Sequence, residues 1–314
     1  MTSPRRIWLA VAVSSLGWGT SGVMTRVALD EQIRPYAIAA VRAGLAAVLI
    51  VVWAWARRRR PSFDGVTWRV GLVMGVSNLA IPLVAGNVAL QYAGAGFVGV
   101  LAALIGLFTA ALAHVMLPDE PMRLGKVGGL TIALVGVVVL FLSGDSGLGE
   151  GGRPLVAGTV AIFGYLSIAV GSVYAKKHAG RYAPIDVSLV QFVAGAIMVL
   201  VATIAVEGAP RVSTVLGGTA LVYMALMSTV IPFLVYYWLL RHVTVVYAAI
   251  IGYLVPLVAV VVGIVALGEE LQPGIVVGGA LILAGVVVTD RVEQRIVPQG
   301  QAAESPAVTP LNGD

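Results

Sequence analysis

Apolar residues run through this chain in stretches of about 20, divided by short polar breaks; a helix of that length crosses about 30 Å of hydrocarbon. Ten stretches are read, at 7–28, 36–56, 68–90, 95–117, 124–142, 154–175, 184–206, 215–240, 245–267 and 274–289. The pattern occurs twice. Met74, Ile81-Pro82, Glu120, Gly128-Gly129 and Ile132 recur 150 positions later as Met224, Ile231-Pro232, Glu270, Gly278-Gly279 and Ile282. At the same displacement, Trp18 to Arg26 fits Ile168 to Lys176. Each copy holds an odd number of spans, so the two copies are expected to lie upside down relative to each other. The expected fold is an all-α membrane protein of ten transmembrane helices. It forms two inverted five-helix repeats, over 7–142 and 154–290, joined by the Gly-rich segment 143–153 as a hinge. The polar, aperiodic segment 291–314 reads as a disordered cytoplasmic tail.

Composition agrees with that pattern. The chain has 314 residues, 59% hydrophobic and 11% charged, with a mean hydropathy of +0.96. A soluble core could not hide this much apolar surface, so the lipid bilayer is the expected solvent. The run after Arg5-Arg6 resembles a signal peptide, but it lacks a small-x-small cleavage site and is read as the first span. The net charge of +5 is gathered in a few short loops, which excludes a nucleic-acid face. There is no cysteine, so disulfides and thiol chemistry are excluded. Lys and Arg also set the orientation. With the N-terminus inside, the inner segments hold Arg5, Arg6, Arg57 to Arg60, Arg69, Arg123, Lys126, Lys176, Lys177, Arg181, Arg241, Arg291 and Arg295, and the outer ones only Arg34, Arg153 and Arg211. An even number of spans then returns the C-terminus to the cytoplasm, in a multi-pass protein of the cytoplasmic (inner) membrane.

Polar and helix-breaking residues at mid-span are the candidates for function. Pro82, Pro232 and Pro256 fall near the centres of spans three, eight and nine. Each removes an N–H and pushes away the carbonyl four residues earlier, at Asn78, Ser228 and Gly252. Such carbonyls are tolerated only against protein or a wet cavity, and bends at matching positions of two halves point to a transport site. Span one carries a stripe of Ser14, Trp18, Ser21 and Thr25, and span four has Ala102, Gly106 and Ala110 four apart. Tyr165, Tyr236 and Tyr253 add aromatic surface suited to organic solutes. Arg42 in span two, with Gln191 as its second-half counterpart, is either a polar anchor for solute or a bridge between carbonyls. The Gly125-xxx-Gly129 and Gly274-xxx-Gly278 spacings read as helix packing. No carboxylate lies near a midplane, which argues against ion coupling through an acidic side chain. Three dispersed histidines, His114, His178 and His242, supply no catalytic or metal set. Neither an enzyme nor a cofactor is expected.

Trp18-Gly19-Thr20-Ser21, the Ala-rich run ending at Arg42, 87–96 and 101–139 resemble the first repeat of EamA-type proteins of the drug/metabolite transporter superfamily. In the second copy, Pro256 followed by Leu267-Gly268-Glu269 is similar to that family's proline and Gly-Glu signature. The resemblance implies two inverted five-helix halves, a cavity lined by spans one, three, four, six, eight and nine, and export of amino acids or other small metabolites. Gly106 replaces the first-half proline, which is expected to soften the kink of span four. Pro118-Asp119-Glu120-Pro121 replaces the first Gly-Glu, and span six lacks a tryptophan often found there. The expected function is a secondary transporter of small organic metabolites, amino acids or drug-like solutes, exporting by alternating access. The alternative is a non-transporting polytopic membrane protein, an intramembrane enzyme or an assembly factor.

Overall fold

The computed structural model describes residues 4–58, 61–117, 124–148, 151–240 and 245–294. The Pro118–Pro121 motif, Arg241, His242 and the tail from 295 onward lie outside the described residues. Among those described, all regular structure is helical. Eight helices are long and apolar enough to cross a membrane: Arg5–Asp30, Pro35–Ala56, Gly65–Ala89, Ala95–Met116, Leu124–Leu142, Pro154–Lys177, Pro184–Val206 and Val215–Tyr236. The shorter apolar helices Ile251–Leu267 and Pro273–Thr289 belong to helices Val245–Leu267 and Pro273–Gln294. These ten are called spans one to ten. Span ten continues to Gln294, past the expected start of the tail. Large apolar side chains stand on the outside, with Leu124 at 91% and Trp55 at 79% exposure. That is the reverse of a soluble protein and makes this a multi-pass membrane protein.

Local sequence sets the helix ends. Asp64 caps span three by accepting from the Thr67 N–H at 2.8 Å, and that bond holds its carboxyl below the ordinary carboxylate range. Proline opens spans two, six and seven at the first helical position, where its missing N–H costs nothing. The Glu207 carboxylate accepts from the N–H groups of Tyr36 and Ala37 at 3.1 and 3.0 Å, closing the start of span two from the end of span seven.

Packing pairs the first five helices with the last five. Span five lies along span ten, two against seven and eight, three against six and seven, four against six and nine, and one against eight and nine. Exchanging each span for the one five later returns the same set of pairs, while span four makes a further contact with span ten. The five–ten seam is the most extensive. A Cβ at Gly136 would fall 2.7 Å from the Gly278 carbonyl oxygen, and one at Gly278 would fall 2.9 Å from that of Gly136. Gly129 and Gly285 meet in the same reciprocal way one step along. The packing role expected of Gly129 and Gly278 holds at this seam, but the operative spacing is seven, through Gly136 and Gly285.

The described residues of the segment expected to be a hinge, 143–148 and 151–153, are held by hydrogen bonds to neighbouring loops and helix ends. Ser146 O accepts from Gly94 N, Gly147 N donates to Gln272 Oε1 at 2.8 Å, and Arg153 N donates to Tyr92 O at 2.8 Å.

Helix irregularities depart from expectation in one informative way. Spans three and eight each widen into a π-helical segment, Gly75–Ala80 and Leu226–Val230, immediately before Ile81-Pro82 and Ile231-Pro232. Span nine carries Pro256 inside a continuous helix. Span four, where Gly106 stands in for that proline, stays right-handed helical throughout but tightens at Ala102 and Ala103, between Ala95–Leu101 and Leu104–Met116. The tightening precedes Gly106 and forms three-residue turns, with Ala103 N donating to Val100 O at 3.2 Å.

Candidate transport site

Proline 232 leaves the Ser228 carbonyl without its ordinary partner, and Arg42 takes it. Arg42 is 7% exposed, on span two, where Ala43 and Ala46 let neighbouring helices come close. Its Nη2 donates to Ser228 O at 3.0 Å, Nη1 to the Ser21 hydroxyl of span one at 2.8 Å, and Nε to the Thr229 hydroxyl at 2.9 Å. Thr229 donates in turn to the Met224 carbonyl at 2.8 Å, five residues back, across the π turn. One guanidinium thus joins spans one, two and eight at the bend.

The first-half bend is satisfied differently. The Ser77 carbonyl accepts from Ser167 Oγ of span six at 2.9 Å, and Asn78 Nδ2 donates to Ser172 Oγ at 3.2 Å. Asn78 therefore bonds span six, whereas Ser228 bonds span two through its carbonyl. Small residues let the bent helices approach. Gly17 lies against the Met227 carbonyl and Pro232, while a Cβ on Gly164 would meet Ala85 Cβ at 2.9 Å and Pro82 Cα at 3.4 Å.

Of the other candidates, Trp18 and Tyr236 stand edge to face with centroids 5.5 Å apart, on the span one–span eight seam. Tyr165 donates its hydroxyl to Val98 O at 2.9 Å, one turn before the three-residue turns in span four. Tyr253 packs partly buried beside the cluster around Phe97 and Leu101. Pro256 is buried. A Cβ on Gly106 would meet nothing within 4 Å, so this position adjoins open space. Gln191 is 4% exposed and its Oε1 has no partner; the same holds for the hydroxyls of Ser14, Ser15 and Ser228, at 0, 2 and 1% exposure. Unmet buried polar atoms are uncommon and each needs a reason. Thr229, Ser167 and Ser172, which hold these bends, carried no signal in the sequence beyond being small polar residues inside apolar helices.

Acidic groups keep to helix ends. Glu269 accepts from Ala95 N at 2.5 Å and Gly96 N at 2.9 Å, closing the start of span four. It borders a cavity of about 240 Å³ that also includes Arg26, Asp30 and Gly147. A second cavity, of about 410 Å³ between spans two and seven, is apolar and lined by Gly44, Ala47 and Val193, among others.

Residues 5–142 and 156–289 both match the EamA-like transporter family. The chain belongs to that family. Among its relatives, YoaV of Bacillus subtilis (strain 168), named an uncharacterized transporter, is 25% identical over 90% of this chain and 95% of its own. A probable terminal-alkyne amino-acid exporter of Streptantibioticus cattleyicolor is 25% identical over 93% and 95%. YedA of Escherichia coli (strain K12), named an uncharacterized inner membrane transporter, is 27% identical over 87% of each chain. A crystallised protein 21% identical to this chain shares the fold, with a TM-score of 0.63 over 94% of this chain and 100% of its own. This EamA-like protein is therefore a membrane transporter by family.

Proposed function

We propose that this protein is a secondary carrier that moves small organic solutes out of the cell across the cytoplasmic membrane by alternating access. The carrying observation is the matched pair of π-helical bends before Pro82 and Pro232, 150 positions apart. Bends at corresponding places in two halves are where such carriers bind solute. The self-mapping set of helix pairs supports two inverted halves, and the Lys and Arg bias supports both termini in the cytoplasm.

On this reading the solute meets Ser21, Arg42, Ser228, Trp18 and Tyr236 at the span one–span eight seam. Asn78, Pro82, Gly106, Tyr165, Tyr253, Pro256 and Gln191 line or hold the surrounding helices. The buried hydroxyls of Ser14, Ser15 and Ser228 gain partners when the seam opens. The exporter named among the relatives supports outward transport of amino acids or drug-like solutes, and the name of YedA supports the cytoplasmic membrane. With carboxylates at helix ends, transport does not depend on proton exchange through an acidic side chain.

Counterflow in proteoliposomes tests this proposal. Liposomes preloaded with an unlabelled amino-acid and metabolite panel should accumulate labelled solute saturably. Uptake that preloading does not stimulate, for every member of the panel, contradicts a carrier.

A further inference from the structure

Arg42 holds a positive charge inside the bundle at 7% exposure, and its partners are all neutral: two hydroxyls and a carbonyl. The ion pair between Arg26 and Asp30 does not involve Arg42. A guanidinium presents five N–H donors, so the three bonds leave two unused and the charge unneutralised. A cation in this setting is costly without an anion. A second observation stands beside it. The hydroxyl of Ser228, the residue whose carbonyl holds Nη2, is 1% exposed and has no partner.

Spare guanidinium N–H groups and a spare hydroxyl at one bend lack a single complementary ligand: a planar monoanion with two acceptor oxygens. A carboxylate fits. It balances one positive charge, its geometry matches the guanidinium fork, and its remaining lone pair accepts from serine.

We propose that Arg42 and the Ser228 hydroxyl are the anchor for the carboxylate of the transported solute. The assignment rests on the reading of this chain as a carrier of small organic solutes. The site fills in the state in which span one separates from span eight. Ser21 then either stays on Nη1 or yields it to the second carboxylate oxygen.

The test uses full-length protein in liposomes and matched probes: leucine with the amine that lacks its carboxylate (isopentylamine), and the same pairing for phenylalanine and methionine. Counterflow of the wild type should favour the carboxylate-bearing member of each pair by about tenfold or more, because a site built for a hydrogen-bonding group rejects the analogue lacking it. Arg42→Gln should lower apparent affinity for the acids by roughly 10- to 100-fold and for the amines by far less, erasing the preference. Ser228→Ala, which removes one oxygen from a packed position, should weaken the acids by a few-fold at normal abundance, and it decides the question if Arg42→Gln fails to fold. An acid-to-amine ratio in Ser228→Ala and Arg42→Gln equal to that of the wild type overturns the anchor. So does a wild type that carries both members of each pair alike, with the carrier reading intact. Counterflow of no probe, acid or amine, overturns the carrier reading and the anchor with it.

Discussion

The bend before Pro232 shows how a missing N–H is answered one residue at a time. Proline removes the donor, Ser228 O is released, and Arg42 and Thr229 close the gap. Thr229 is the hinge of that arrangement because it accepts from Arg42 while donating to Met224. Thr229→Val removes the acceptor of Arg42 Nε and a donor to the Met224 carbonyl, and should cost about 1–3 kcal/mol. Thr229→Ser should restore nearly all of it. Thermal unfolding of the purified variants in detergent checks this; equal midpoints for the two variants would contradict it. The prolines and the release of Ser228 O are legible in the sequence, since proline's chemistry is local. That Arg42, already a candidate bridge between carbonyls, is the donor for this one is not. It arrives from span two, 186 positions away, and a carbonyl acceptor has no side chain by which sequence could mark it.

At the scale of elements, glycine spacing and helix caps decide how closely spans meet. Gly136→Leu should sharply lower the yield of monodisperse protein, because even a Cβ there strikes the Gly278 backbone at 2.7 Å. Gly106→Ala should leave yield unchanged, with open space beside it. Size-exclusion profiles of fluorescent fusions separate the two, and similar profiles would contradict the seam. Sequence reading found glycines on spans five and ten but looked at steps of four, whereas the two helices touch at steps of seven. Proline content marks where a helix loses a bond, but span nine accommodates Pro256 in one helix, and its proline-free counterpart tightens into three-residue turns at Ala102 and Ala103. At the start of span four, Glu269→Ala removes a carboxylate that caps two N–H groups and should cost about 0.5–2 kcal/mol. Glu269→Gln should cost less, and both should retain transport per folded molecule. Abolished transport in Glu269→Gln at normal abundance would show a role beyond capping.

The whole molecule pairs every helix of one half with helices of the other, so no half can move without repacking the seams between them. Three buried serines with unmet hydroxyls, Ser14, Ser15 and Ser228, lie on spans one and eight, and the proposed carrier cycle parts the seam between them. The duplicated pattern and the apolar helices, eight of them long and apolar enough to cross a membrane, were legible because hydrophobic periodicity survives without knowledge of contacts. Which seam parts was not, because an unmet hydroxyl is a property of packing. The absence of native cysteine makes this directly measurable. In proteoliposomes of uniform orientation, Ser14→Cys and Ser228→Cys are exposed to membrane-impermeant thiol reagents added to one side at a time, with the solute gradient imposed in either direction. Alternating access predicts labelling from a single face in each condition, with the reactive face exchanging when the gradient is reversed. Labelling from both faces in the same condition, or from neither in any condition, would contradict it.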